Sequence, residues 1–561
     1  MDFPDLRSNF EPGTTRWAVR RAQWLAMGLS EQDLLKPKIA IVNSSSKLSV
    51  CYSHLDAVCR VVEGAIRAAG GVPFEIRTVA PSDFITSAGR QARYLMPSRD
   101  LLVNDIEVQV EGAELDGMVL LSSCDKTTPA HLMAAARLDI PAIVVPCGYQ
   151  LGGECDGCRV DIEEVYKAVG LLKSGAITLD QLSAMTCTAI TGPGVCAGLA
   201  TANTMHVLAE ALGMALPGSA PIRAGSDALN VSAERAGRAI VDLVAKGIRA
   251  RAILTASAFR NAVRVAVATG CSVNCVRHLA AVAMEAELDI DIVREIEAVH
   301  DLPQLTLIRP NGPHRIEEFD AAGGCRGVMK RLRERFDTTA LTVSGRALSV
   351  ALDEAPEPDA DRIRPLDQPF RDEPGLTILR GTLAPDGAVV KLSAVPADVR
   401  TFVGRARVFK NENAAIAALE TRTIGPGDVV VLRGMGPKGG PGTVFAASFM
   451  AALVGAGLGA GVAVVTDGEL SGLNSGITIG QIMPEAAEGG PLALVEEGDG
   501  IAIDLNSRTI DLQVANDVLA RRRASWQPPD HSRVRGWLGQ YASLVQPLSK
   551  GAVLRPPQTK T

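Results

Sequence analysis

The chain has 561 residues, 47% hydrophobic and 21% charged, with a formal net charge of −6. That length exceeds one ordinary core and predicts two to four domains of soluble composition. The lack of a long basic run and an aromatic content of only 4% argue against nucleic acid as a partner, and the longest apolar stretch, residues 450 to 465, is shorter than the ~18 residues that span a bilayer.

Taken in chain order, the first 350 residues or so alternate short apolar runs with helical periodicity. "KIAIVNSS", "GMVLLSSC" and "PAIVVP" are predicted strands, and "HLDAVCRVVEGAIRAAG" and "AGRAIVDLVAKGI" are predicted helices. Such alternation predicts an α/β domain, residues 1–354, with a largely parallel, doubly wound sheet. Residues 355–374, "APEPDADRIRPLDQPFRDEP", are rich in Pro and Asp without an apolar period, which predicts a linker. Residues 375–561 then carry β-like runs with turn signals: "LTILRGTLAPDGAVVKL", "DVVVLRG", "GVAVVTDG" and "DGIAIDLNSRTIDLQV". These predict a smaller β-rich, barrel-like domain with one or two helices; near its end "DVLARRRASW" is a charged helix.

Eleven cysteines, an odd number, are scattered over the chain and do not read as a disulfide framework. Together with an N-terminus, "MDFPDLRSNF", that lacks a basic region followed by an apolar core, they predict a cytoplasmic protein with reduced thiols, some of which hold metal. Cys155-x-x-Cys158 and Cys271-x-x-x-Cys275 lie too far apart in sequence for an ordinary zinc ribbon, so unliganded thiols are expected there. "GAGLGA", residues 455–460, has the glycines of a dinucleotide loop but stands between a helix and a strand, the reverse of the required order. "GMGPKGGPGT", residues 434–443, follows a predicted strand and fails the P-loop spacing; its amides could face an anion, and Lys438 is either structural or a contact for a carboxylate.

The segment "SSCDKTTPAHLMAAARL" sets Cys124, Asp125 and Lys126 side by side at the end of a predicted strand, where open α/β sheets place their ligands. A thiol, a carboxylate and an amine are costly to bury together unless something binds them. A buried thiol beside a local Asp–Lys ion pair is the plain alternative.

"CDKTTPAHLMAAA" resembles the motif of the dihydroxy-acid dehydratase and sugar-acid dehydratase family, which includes phosphogluconate dehydratase. The resemblance runs along nearly the whole chain, through "CYSHLDAV", "PSDFITSAGRQARYLMPSRDLLVNDIE", "GVCAGLATANTMHVLAEALGMALPGSA", "GTLAPDGAVVK", "GPKGGPG", "DGELSG", "PEAAEGGPLALVEEGD" and the ending "LARRRASW…RGWL…SKGAVL". It implies an N-terminal α/β domain and a C-terminal β-barrel-like domain with the site between them, in a homodimer or homotetramer. It also implies an iron–sulfur cluster on Cys51, Cys124 and Cys196, [2Fe–2S] in preference to [4Fe–4S], with one iron site open to act as a Lewis acid. Asp83, Asp125 and Lys126, the last in carbamylated form, match a Mg²⁺ site. The implied reaction removes water from a 2,3-dihydroxy carboxylate to give a 2-keto acid, with Ser471 as the base; an aldonate is the alternative substrate, and a cluster-binding protein without dehydratase activity the alternative of another class.

The chain departs from the family pattern at several positions. Thr443, Val444 and Phe445 stand where the family has Met, a variable residue and a Mg²⁺-binding Glu. Met435 replaces another Glu, Ser475 replaces a larger residue, and Glu469 replaces the family's Arg two residues before Ser471. Leu473 stands where some sugar-acid members carry Thr. Three readings follow: Glu469 supplies the missing metal carboxylate, the pocket is rebuilt for another hydroxy acid with less or no need of Mg²⁺, or activity is lost.

Overall fold

The computed structural model describes residues 6–89, 92–440, 446–470 and 476–556. Strands β1 (Lys38–Asn43), β2 (Val72–Arg77), β3 (Gly117–Ser122) and β4 (Ala142–Pro146) form a parallel sheet in the order β2-β1-β3-β4. Every residue of β1, β3 and β4 is buried, which explains their unbroken apolar runs. The crossover from β1 to β2 runs one way along the sheet and that from β2 to β3 the other. Right-handed crossovers then put the helix Leu55–Ala68 on one face and the helices Leu95–Gly112 and Thr127–Leu138 on the opposite one. The helix Asp227–Lys246 packs beside Leu55–Ala68, so the sheet is doubly wound. Its switch point lies between β1 and β3.

After a short hairpin, β5 (Gly153–Cys155) and β6 (Cys158–Val160), a run of helices completes this unit. Residues 355–374 form neither helix nor strand apart from one bridge, Gln304 to Arg371, and lie against the α/β unit with Ile363 buried.

The second unit is one eight-stranded sheet. Its strands are β7 (Thr377–Leu379), β8 (Gly387–Val390), β9 (Thr401–Phe409), β10 (Asp428–Leu432), β11 (Ala463–Thr466), β12 (Thr478–Met483), β13 (Gly500–Asp504) and β14 (Thr509–Gln513), ordered β14-β13-β9-β10-β11-β12-β8-β7. The strands β9 to β12 are parallel and the rest antiparallel. The two edges meet just beyond β7: Arg380 N–H donates to Arg508 O at 3.0 Å, and Ile510 N–H donates to Arg380 O at 2.9 Å. Curling an edge onto its opposite edge removes most of the unpaired backbone. Val429, Val431, Val465, Ile479 and Ile501 fill the interior, while Val430, Leu432 and Val464 alternate outward against the helices Glu412–Glu420 and Ala447–Gly455.

The helix Ala447–Gly455 also joins the two units, because it crosses the helix Ile162–Lys173 at Gly455 and Gly170. A Cβ on Gly455 would lie 2.5 Å from Gly170 O, so this crossing requires glycine. The end of the chain returns to the α/β unit, where the indole N–H of Trp537 donates to Pro97 O at 3.1 Å. Among the described residues, no helix is long and apolar enough to cross a membrane.

Candidate active site

Three of the four strands of the parallel sheet each deliver one residue of interest beyond their C-terminal ends, and a later segment adds a fourth beside the other strand. Cys51 lies in a 3₁₀ turn after β1, Asp83 opens a short helix after β2, and Cys124 follows β3 directly. Cys196 lies on the segment that pairs with the chain leaving β4, through Val195 N–H to Gly148 O at 3.0 Å. The sheet therefore gathers residues spread over about 145 positions of sequence at its switch point.

Local contacts fix these groups. Ser123 Oγ donates to Cys51 O at 2.7 Å, and the Asp83 amide donates to Cys124 Sγ at 3.2 Å. Cys124 adopts φ +61°, a left-handed conformation that turns the chain sharply between β3 and the helix Thr127–Leu138. Tyr52 Oη–H donates to Pro81 O at 2.6 Å and pairs with Thr127 Oγ1 at 3.0 Å, tying the three loops together. Two of the thiols are perturbed, Cys124 and Cys196. Cys124 is held well above an ordinary thiol pKa by hydrogen bonding to Cys51 and by burial. Cys196 is raised by burial, then by Cys124 and Asp83. The metal-free protein thus keeps Cys124 and Cys196 protonated, and a bound metal centre would release their protons.

Beside the thiols stands an acidic group. Burial, then Asp125, pushes the Asp83 carboxyl well up, and its Oδ1 is buried with no hydrogen-bond partner. Lys126, fully buried, is ion-paired with Asp125 and lies 3.3 Å from Glu469 Oε2. Glu469, also fully buried, comes from the barrel just after β11 and pairs through Oε1 with Arg277 of the helix Asn274–Glu285. His278 Nε2 is 3.9 Å from the same oxygen. These contacts are ionic, because neither oxygen of Glu469 accepts a well-directed hydrogen bond. Arg277 and His278 carry no sequence mark, since "CSVNCVRHL" draws attention only to its cysteines. Tyr541 Oη, in the electrostatic neighbourhood of Arg277, is likewise buried without a partner. Orphaned buried polar atoms of this kind call for a ligand or water.

Lys438 is not among these groups. Its ammonium pairs with Glu488 at 2.8 Å, and His531 Nε2–H donates to its carbonyl at 2.6 Å. The glycine loop does face an acidic group, one supplied by the chain itself: the amides of Lys438 and Gly439 donate to the Glu485 carboxyl at 3.0–3.2 Å. Met435 N–H donates to Asp467 at 2.9 Å. Residues 455–460 cap the helix Ala447–Gly455 and turn into β11. Cys155 and Cys158 face each other on the β5–β6 hairpin, whereas Cys271 and Cys275 are fully buried. Ser471, Thr443, Val444, Phe445, Leu473 and Ser475 lie outside the described residues.

The donor set bears on which inorganic groups fit. Among the described residues, no three His, Cys, Asp or Glu side chains gather around a single ion. Thiolates around an iron–sulfur core stand farther apart than the ligands of one ion, and Mg²⁺ takes one or two carboxylates with water and substrate. Cys51 and Cys124, both buried, and the half-buried Cys196 offer thiols for the first, and Asp83, with its unpartnered oxygen, and Asp125 offer carboxyls for the second.

The model of the N-terminal domain of dihydroxy-acid/6-phosphogluconate dehydratases matches residues 36–351, and that of the C-terminal domain matches residues 361–552. A protein of Syntrophobacter fumaroxidans called dihydroxy-acid dehydratase is 42% identical over 99% of this chain and 100% of its own length. Proteins of the same description from Methanothrix thermoacetophila and Ignicoccus hospitalis are 41% and 40% identical, over 98% and 96% of this chain and 100% and 98% of their own lengths.

Proposed function

Since the chain belongs to the dihydroxy-acid/6-phosphogluconate dehydratase family, we propose that it is a hydro-lyase converting a 2,3-dihydroxy carboxylate to a 2-keto acid. The observation that carries this reading is the convergence of Cys51, Cys124 and Cys196 with Asp83, Asp125 and Lys126 at the C-terminal ends of the parallel strands. The three cysteines would hold an iron–sulfur cluster, [2Fe–2S] rather than [4Fe–4S], and Asp83, Asp125 and Glu469 would supply oxygens to Mg²⁺. When bound, these groups supply Lewis acidity toward the 3-hydroxyl and the substrate carboxylate.

The chain's own residues do the rest. Lys126 places a positive charge against Asp125, and in carbamylated form it would become a further oxygen donor. Glu469 reaches the same lysine from the barrel, so docking of the two units completes the site. The surrounding burial excludes water and strengthens each ionic contact. Ser471, two residues beyond Glu469, is the proposed base that removes the C2 proton; such a role depends on nearby positive charge to stabilise its alkoxide. We place the protein in the cytoplasm as a homodimer or homotetramer, a setting consistent with eleven free cysteines.

The test is 2-keto acid release by anaerobically purified, cluster-loaded protein. Branched-chain 2,3-dihydroxy acids and a panel of aldonates are offered, each with and without Mg²⁺. Turnover of the former supports the reading, and turnover of aldonates alone moves the substrate class to sugar acids. No turnover of either by protein with full iron and sulfide content overturns it.

A further inference from the structure

Away from the candidate site, three of the eleven cysteines reach solvent: Cys155 in part, Cys158 and Cys187 openly. Two of them, Cys155 and Cys158, are partners in register on β5 and β6. They are joined by Asp156 and Gly157, whose φ values of +52° and +75° are both left-handed. Asp-Gly with both residues left-handed is the two-residue type I′ turn, the connection whose twist matches that of the strands it joins. Directly opposed residues put their side chains on the same face of a hairpin. Their Cα atoms lie about 4.5–5.5 Å apart and their Cβ atoms about 4.5–5.5 Å apart. A disulfide takes Cα separations of about 4.4–6.8 Å and Cβ separations of about 3.5–4.5 Å. The backbone is therefore in place for a bond, and the two Cβ atoms need draw in by only about an ångström. A bond made under that tension on an exposed hairpin is readily reduced again, unlike a structural disulfide.

The hairpin is also tied to the segment that ends at Cys196. Val195 N–H donates to Gly148 O at 3.0 Å, Gln150 N–H donates to Val195 O at 2.8 Å, and Thr191 N–H donates to Leu151 O at 3.1 Å. Gly153 then rests against Thr188 O, where no Cβ would fit. Residues 188–195 thus lie along residues 148–153, with the two thiols beyond one end and Cys196 at the other. Cross-linking the hairpin restrains the backbone to which the Cys196 segment is bonded.

We propose that Cys155 and Cys158 are a reversible thiol–disulfide site, oxidised by a small-molecule disulfide, whose bond stiffens the segment leading to Cys196. The thiolate of Cys158, the more exposed of the two, attacks the small disulfide; a mixed disulfide forms and one small thiol leaves. The Cys155 thiolate then attacks the Cys158 sulfur, and the second small thiol leaves. The pair gives up two electrons and two protons, which the small disulfide takes to become two thiols. Two surface cysteines without this geometry would react singly, each keeping its own adduct. No step involves the cluster ligands, so failure of this site and failure of the hydro-lyase reading are separate outcomes.

The experiment equilibrates the intact, cluster-loaded chain anaerobically in glutathione buffers of varied ratio. Free thiols are then trapped by alkylation, and bridges are mapped by mass spectrometry of digests. With oxidised glutathione in excess, the peptide holding Cys155 and Cys158 should carry an internal bridge and no glutathione, and excess reduced glutathione should restore both thiols. C155S and C158S should instead keep one glutathione on the remaining cysteine. Hydrogen exchange is read in parallel. A bond closing a four-residue loop slows opening of the hairpin by up to about twentyfold. The Thr191 and Val195 amides should slow in the same oxidised sample, but not in C158S. Glutathione retained by the unaltered protein, a bridge to Cys187, no oxidation at all, or a bridge that excess reduced glutathione leaves closed overturns the proposal. So does a bridge that forms while Thr191 and Val195 exchange at their former rates, or one whose formation drives out iron and sulfide.

Discussion

Replacing Glu485 by Gln isolates one buried acid and makes its protonation visible as stability. Glu485 is fully buried beside Asp467, and burial, then Asp467 and Glu488, push its pKa from 4.5 up to about 8. Below pH 4.5 the folded and unfolded chains both hold the proton, so the group has no net effect there. As pH rises further, the unfolded chain releases the proton and the folded chain keeps it, so the native state loses ~1.4 kcal/mol per pH unit. The loss is complete once the folded group ionises, with an upper bound of ~4–5 kcal/mol. Gln carries no such proton, but it turns an NH₂ toward the Lys438 and Gly439 amides, which costs ~1–3 kcal/mol at every pH. Thermal melts of both proteins at one scan rate, from pH 5 to 9, measure the difference. Glu163 and Glu210, both pushed up to about 7 by burial, add the same slope to each protein and cancel. E485Q should be less stable at pH 5, with the gap shrinking or reversing toward pH 9. A gap that is constant, or that widens with pH, refutes the assignment of a retained proton to Glu485.

Three further outcomes are expected. C51S, C124S and C196S should each lose visible absorbance together with iron and sulfide; full iron in any one removes that residue from the ligand set. D83N should raise the melting temperature of the metal-free protein near pH 8 while abolishing turnover, because the ionised Asp83 is disfavoured by burial and by Asp125; a lower melting temperature counts against that account. G455V should lower stability by ~1–3 kcal/mol or more through its clash with Gly170, whereas G425A, with nothing within 4 Å of the added methyl, should be neutral in the same melts.

Much of the α/β unit was legible because strands buried on both faces leave continuous apolar runs, as "KIAIVN" and "GMVLLS" do. The strand β9, "TFVGRARVF", was not. Its buried positions include Gly404 and Ala406, while Val403 and Arg405 point to solvent, so the hydrophobic alternation nearly vanishes. Gly404 is small for a local reason, since a Cβ there would lie 2.5 Å from Gly427 O. Barrel closure was also invisible, resting on backbone hydrogen bonds between residues about 130 positions apart. At the site, the cysteines and the Asp125–Lys126 pair stood out because thiols and charges interrupt apolar strand ends. Arg277 did not, because one arginine in an amphipathic helix normally marks a solvated face. Only the charge reversal at Glu469 hinted that a buried cation had to exist, and no spacing rule says where.

A two-unit enzyme can change its site without losing its fold when the altered residue hangs on one unit and is answered by the other. The sheet's switch point fixes the cysteines and Asp125, so those positions answer to the topology of the α/β unit. Glu469 hangs on the barrel, at the end of a short strand, and is judged only by what the helix Asn274–Glu285 presents to it. A new carboxylate there is intolerable alone, yet neutral in charge once an arginine faces it from the other unit. The pair therefore couples the docking of the two units to the electrostatics of the site. Separating them would leave a buried carboxylate on the barrel unmatched and would take from Lys126 and Arg277, both buried on the α/β unit, the carboxylate they share. For this reason the two halves are expected to fold and to bind metal as one cooperative system, although each has a hydrophobic core of its own.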